Sequence, residues 1–190
     1  VVNSTVVASG GLFGAGIGGG DGSVTVQNST VTASAGTYGA GIGGGYGVSN
    51  GLIVIEGSNI NASGYQPIGA GKNGTNTVPT NTAGNVLTLT TVTLDNVTND
   101  LPVTKVEGAT GYNSVSLNTI EGKLYLYLPD GDSPSKVVAN GNDYVGTVTD
   151  GAGIFTFSHT CEVGTKGTVA DCNHLAICGT CLQNFGTIDI

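Results

Sequence analysis

Apolar and polar side chains alternate in three short segments near the N-terminus. Each segment carries two apolar residues two positions apart, and these pairs are Val6 and Ala8, Val31 and Ala33, and Ile60 and Ala62. Because successive side chains of a β-strand point to opposite faces, this period predicts three half-buried strands. The apolar positions are then the predicted core rows.

The three segments belong to a repeat. The string Gly-Ala-Gly-Ile-Gly-Gly-Gly occurs at residues 14–20 and again at 39–45, and a degenerate copy follows at 67–71. A period of 25 to 29 residues without a helical pattern is typical of solenoid coils. We therefore predict an all-β fold that begins with a right-handed parallel β-helix over residues 1–80. Asn3 and Asn28 are expected to lie one above the other at a turn between strands.

Glycine becomes rarer after residue 75, while alternating segments continue. The most regular of them is Lys123–Pro129, where Leu and Tyr alternate before a Pro that ends the strand. Further strands are predicted within residues 86–94, 136–138, 143–146 and 154–157. A solenoid needs its open apolar end covered. Residues 81–158 are accordingly predicted to be a β-rich capping or accessory region.

The chain is acidic and sparsely charged, with 9% charged residues, a net charge of -8, five Lys and no Arg. No basic cluster is present to neutralise phosphates, so we expect no nucleic-acid partner. No apolar run is long enough to predict membrane insertion by this segment. An acidic solenoid rich in Gly, Thr, Asn and Ser is typical of an exported bacterial protein, either extracellular or on the cell surface. Since Val1 begins part-way through a repeat, we also expect further domains of a longer chain.

All four Cys and both His lie in the last segment, residues 159–190. A Cys-x-x-Cys knuckle and two further Cys make a four-thiolate set, which is a structural zinc composition. The predicted ligands are Cys161, Cys172, Cys178 and Cys181, with His159 and His174 as alternates. Two disulfides are the competing interpretation, because small exported modules use an even number of Cys as staples. The third interpretation is that the four Cys are free thiols.

These residues resemble a short Cys-containing module found in large cell-surface proteins of gut-dwelling Firmicutes. The similarity covers residues 167–181 and the Asn-Phe-Gly at 184–186, although Leu182 stands where that family usually has Gly. The Gly-rich coils and the segment 122–129 resemble other parts of the same proteins. The resemblance implies an adhesin-like, carbohydrate-binding-like surface protein whose C-terminal module is small, Cys-rich and similar to a zinc ribbon.

Aromatic residues suggest where a polysaccharide or host glycan would bind. Phe13, Tyr38 and Tyr65 precede the Gly-rich segment of the three coils, so stacking is expected to align their rings along one edge. Tyr125 and Tyr127 alternate with Leu residues and are predicted to form a second patch. The alternative is that the rings stack on one another and seal a corner.

An enzymatic function is not expected. Asp21, Glu56 and Lys72 are the only charged residues among the first 75, and they fall in different parts of different repeats. Stacking therefore builds no carboxylate pair for acid–base catalysis. A glycan-binding surface module is the favoured function. The competing hypotheses are a purely structural β-helical spacer and, less favoured, a polysaccharide lyase or glycoside hydrolase.

Overall fold

The computed structural model describes residues 1–20 and 22–158, together with the backbone of residues 176–177 and 184–185. The regular elements in this part of the chain are β-strands, and none of it forms a helix long and apolar enough to cross a membrane. The first eight strands are β1 (Thr5–Ser9), β2 (Ile17–Gly18), β3 (Val24–Gln27), β4 (Thr30–Ser34), β5 (Ile42–Gly43), β6 (Ile53–Glu56), β7 (Asn59–Ser63) and β8 (Ile68–Gly69). The next seven are β9 (Leu87–Leu94), β10 (Pro102–Glu107), β11 (Leu117–Asn118), β12 (Lys123–Pro129), β13 (Lys136–Ala139), β14 (Asn142–Gly146) and β15 (Ala152–Ser158).

The repeats stack in parallel and in the predicted register. Val6 pairs with Val31 and Val31 with Ile60, while Ala8, Ala33 and Ala62 form the second row. Strands β2, β5 and β8 stack in the same way, as do β3 and β6. Val31, Ala33 and Ile60 are buried, so the two predicted core rows are confirmed.

The third strand of each coil is short. Strand β5 begins only at Ile42, and residues 37–39 before it form a turn. Glycine at positions 36, 39 and 41 gives the backbone no side-chain preference for an extended conformation. The Gly-rich stretch is therefore a tight corner with one short strand at its end.

Hydrogen bonds between stacked polar side chains stabilise a second corner of the coils. The Asn28 side-chain amide donates to the Asn3 side-chain oxygen at 2.7 Å, which confirms the predicted stacking of these residues. Both have a positive φ, a conformation that Asn tolerates well. Beside them, the Ser29 hydroxyl accepts from the Ser4 backbone amide at 3.1 Å. Side chains thus satisfy turn amides that the strand ladders do not reach.

The accessory region continues the sheet of the coils. Its strands extend β1, β4 and β7 to a ten-stranded sheet in the order β1-β4-β7-β12-β9-β15-β14-β13-β10-β11. Strand β10 was not predicted, because its two buried residues, Val103 and Val106, are three positions apart and so break the period of two. The predicted boundary at residues 80 and 81 stays a prediction.

Strand β12 separates two hydrophobic cores. Leu124, Leu126 and Leu128 pack into the core of the accessory region, whereas Tyr127 points the other way. Tyr127 packs with Ile60 and the other buried residues of the coils, and Leu87 of β9 joins them there. The pleat of a strand sends alternate side chains to opposite faces, and here both faces of β12 are covered. The coils are thereby capped at their third repeat.

The chain divides into two compact units, Val1–Phe157 and Ser158–Ile190. In the second unit the structure describes two strands, β16 (Ala176–Ile177) and β17 (Asn184–Phe185), which pair antiparallel. The predicted zinc ligands Cys161, Cys172, Cys178 and Cys181, and the alternates His159 and His174, lie outside the described residues. Among the described residues, no group of three or more His, Cys, Asp or Glu is placed to hold a metal ion.

Candidate functional site

The backbones of successive coils lie very close together at the Gly-rich corner, and aromatic residues lie next to it. A Cβ on Gly39 would collide with the Gly14 carbonyl, and one on Gly71 would collide with the Gly45 carbonyl. Only glycine permits this close approach of successive coils. Successive coils therefore pack backbone against backbone at this corner.

Three aromatic rings meet at this corner. Phe13 and Tyr38 are stacked, with centroids 5.2 Å apart and planes at 10°. The Tyr46 centroid lies 5.5 Å from Phe13 and 5.6 Å from Tyr38, with its plane steeply inclined to both rings. Since Tyr46 is nearly equidistant from the two stacked rings, it lies beside the stack. We call Phe13, Tyr38 and Tyr46 the aromatic corner.

The aromatic corner is packed internally and still open to solvent. Phe13 is 53% exposed and Tyr46 is 45% exposed, whereas Tyr38 is half-buried between its neighbours. Backbone bonds join the residues that carry the rings, because the Tyr46 amide donates to the Phe13 carbonyl at 2.8 Å and the Tyr38 amide donates to the Leu12 carbonyl at 3.2 Å. The rings therefore form a packed, partly solvent-exposed aromatic surface.

Two polar residues from the segment after the third coil border the aromatic corner. The Lys72 Nζ lies 5.1 Å from the Tyr38 centroid, over the ring, which is a cation–π geometry. The Asn73 amide donates to the Tyr46 hydroxyl at 3.1 Å. The Lys72 backbone amide also donates to the Tyr38 carbonyl at 2.8 Å, which anchors the segment. The site thus combines aromatic faces with an ammonium group and two neutral hydrogen-bonding groups.

Tyr65 is not part of the aromatic corner. Eight positions separate Ser9 from Ile17 and Ser34 from Ile42, but five separate Ser63 from Ile68. The shorter corner cannot place Tyr65 in line with the rings of the earlier coils. Tyr65 is exposed and makes no ring contact with the other aromatic residues of the described region.

The third ring comes instead from Tyr46, which lies outside the repeated aromatic position of the coils. Tyr46 follows the second Gly-rich string at the position that Asp21 occupies after the first. The sequence signal for Tyr46 was an aromatic residue immediately after a run of glycines. Recognising it required knowledge that the two ends of the corner meet in space.

Tyr125 and Tyr127 do not together form the second exposed aromatic patch that was predicted. Tyr127 is only 7% exposed, because β12 has a core on each face, and burial raises the pKa of this phenol to about 12. The prediction of Tyr127 as an exposed ligand-binding residue was therefore wrong. Tyr125 is half-buried, and its backbone amide donates to the Asn59 side chain at 2.7 Å.

The accessory region contains a shallow polar cleft of about 440 Å³, lined by Gly108, Ala109, Thr110, Asn113, Gly131, Asp132 and Ser133. The Asp132 carboxylate accepts from both the backbone amide and the hydroxyl of Thr110. These bonds join two turns across the cleft. Elsewhere in this region, Lys136 and Lys105 bind Glu107 and hold the pKa of its carboxyl below the ordinary value.

Comparison with known proteins agrees with the architecture of the coils. A family model described as a beta helix repeat matches residues 3–21 and 24–46. Those residues are β-helix repeats. The match includes Phe13, Tyr38 and Tyr46, so the whole aromatic corner lies within the β-helix repeats. No curated protein and no solved structure shows significant similarity to the chain.

Proposed function

We propose that this chain is part of a bacterial cell-surface or secreted adhesin-like protein, and that its β-helix repeats bind a glycan at the aromatic corner. The observation that carries the proposal is the half-exposed cluster of Phe13, Tyr38 and Tyr46 with two hydrogen-bonding groups at its border. Large exposed apolar surfaces on a soluble fold mark interaction sites when polar groups rim them.

The chemistry of the aromatic corner suits a carbohydrate. A sugar ring has apolar C–H faces that pack on aromatic rings and hydroxyl groups that need polar partners. Tyr46 offers its hydroxyl, and Asn73 and Lys72 offer further donors. The rings are already packed on one another, so binding costs little additional side-chain entropy.

Binding to a glycan array, followed by calorimetry on the best ligand, tests this function. Phe13→Ala and Tyr46→Ala are each expected to weaken binding about five- to tenfold, because each removes an exposed ring that contacts the sugar. Leu52→Ala is the matched control, since Leu52 is an equally exposed apolar side chain outside the corner. It is expected to leave the affinity unchanged. Thermal unfolding of each variant separates loss of a contact from loss of the fold.

Two results would contradict the proposal. Absence of binding to any glycan would favour the structural spacer, in which the stacked rings of Phe13 and Tyr38 serve only to seal the corner. Release of reducing or unsaturated sugars from a bound polysaccharide would instead establish a hydrolase or a lyase.

A further inference from the structure

The stacking order of the coils makes the two ends of the aromatic corner chemically different. Phe13 belongs to the first coil, Tyr38 to the second, and Lys72 follows the last residues of the third. The Phe13 ring and the Lys72 ammonium therefore come from the levels of the stack on either side of the coil that carries Tyr38. The separations of 5.2 Å and 5.1 Å from the Tyr38 centroid place the ammonium at most about 10 Å from the Phe13 centroid.

The positive charge of Lys72 has no carboxylate partner within the described residues. Lys105 and Lys136 form ion pairs in the accessory region, whereas the Lys72 ammonium lies over the Tyr38 ring. Of residues 1–20 and 22–75, Glu56 is the acidic residue, and its carboxylate accepts from Thr82 at a different corner. An exposed ammonium next to an apolar surface attracts an anionic group on whatever binds that surface.

We propose that the aromatic corner selects carboxylate-bearing oligosaccharides, with sugar rings on the Phe13 and Tyr46 side and a carboxylate bound by Lys72. This inference rests on the proposed glycan-binding function and names its ligand class. Phe13, Tyr38 and Lys72 come from successive levels of the stack, so a ligand that contacts both Phe13 and Lys72 extends along the stack of coils. Uronic acids and sialic acids share the required carboxylate.

Two matched pairs of probes test the charge without changing the sugar rings. The first pair is a short oligogalacturonate and its methyl ester, and the second is sialyllactose and the methyl ester of its sialic acid carboxylate. Affinities are measured by calorimetry at low ionic strength, where an exposed ion pair is least screened. We expect the charged member of at least one pair to bind more tightly, and the pair that shows this preference identifies the source of the carboxylate.

Variants then assign the preference to Lys72. Lys72→Gln is expected to weaken binding of the acidic probe about two- to fivefold and to leave binding of its neutral counterpart unchanged, as for an exposed ion pair. Lys72→Arg should retain the preference. Lys105→Gln changes the net charge equally from within the accessory region, and it should have no effect.

The outcomes separate this inference from the function on which it rests. If Lys72→Gln weakened the acidic and neutral probes equally, Lys72 would only support Tyr38, and the selectivity would be refuted. If neutral glycans bound through Phe13 and Tyr46 with no preference for either acidic probe, the proposed function would stand and this inference would fail. If none of the probes or other glycans bound, both the proposed function and this inference would be refuted.

Discussion

At the scale of single residues, one position along a strand decides whether a side chain is in the core or in solvent. Val31 of β4 is completely buried between its counterparts in the neighbouring coils. Val7 of the adjacent strand β1 is 79% exposed, because its side chain points outward. The same residue type on paired strands therefore contributes to stability at one position and contributes little at the other.

Val31→Asp is expected to lower the free energy of unfolding by roughly 3–5 kcal/mol, because it buries an unpaired carboxylate in the column of Val6, Val31 and Ile60. Val7→Asp introduces the same charge on the solvent face and should change stability by less than about 0.5 kcal/mol. Urea unfolding of both variants measures the difference. Equal effects would mean that the core rows have been assigned to the wrong face.

Repetition in the sequence made some residues predictable and left others hidden. Val31, Ala33 and Ile60 could be placed because each has a counterpart at the same point of another coil. Tyr46 has no such counterpart, and neither its contact with Phe13 nor the burial of Tyr127 is a local property of the sequence. Both depend on which segments meet at a corner or across a strand.

At the scale of elements, the junction between β7 and β12 holds the accessory region to the coils. These strands share one paired position, Leu126 with Asn59. The buried Asn59 side chain supplies further bonds to β12, since it accepts from the amide of Tyr125 at 2.7 Å and donates to the carbonyl of Lys123 at 3.3 Å. It also donates to the carbonyl of Asn118 on β11 at 2.7 Å. A side chain thus takes the place of missing ladder bonds between the two strands.

Asn59→Ala is expected to destabilise the first unit by about 1–3 kcal/mol, because it leaves the part-buried Tyr125 amide without its partner and the Asn118 carbonyl with only the longer bond from the Thr30 hydroxyl at 3.4 Å. Asn61→Ala is the control on the same strand, where the side chain is only half-buried. Hydrogen exchange should show faster exchange at the Tyr125 amide in the first variant and unchanged exchange in the second. Unchanged exchange in both would disprove the role of Asn59.

Strands were predictable where apolar alternation was uninterrupted, and less so elsewhere. Segment 123–129 was predicted with its observed bounds, because Leu recurs at every second position. Strand β10 was missed, since it starts with Pro102 and carries a β-bulge between Val103 and Lys105. A bulge shifts the alternation by one residue and so removes the pattern on which the prediction relies.

At the scale of the whole molecule, the chain divides its stabilising chemistry between two units. The first unit has two hydrophobic cores and no Cys, whereas the second contains all four Cys of the chain. Residues 158–190 include few apolar side chains, and a segment of that size needs a metal or cross-links to offset its chain entropy.

We expect the purified protein to carry one zinc ion bound by Cys161, Cys172, Cys178 and Cys181. Elemental analysis measures the metal, and a thiol count under denaturing conditions distinguishes four reduced Cys from two disulfides. Chelation should abolish the folding of the second unit and leave the unfolding transition of residues 1–157 unchanged, since those residues contain no Cys. Metal-free protein with no free thiols would establish disulfides instead.

The position of β12 between the two cores also has a consequence for biosynthesis. Tyr125 and Asn59 are bonded across 66 positions of sequence. A chain that emerges from the ribosome with its N-terminus first therefore completes all three coils before it makes the strand that closes them. Until residue 129 has been synthesised, the nascent protein exposes the free edge of β7 and the apolar end around Ile60, a surface open to pairing with neighbouring chains.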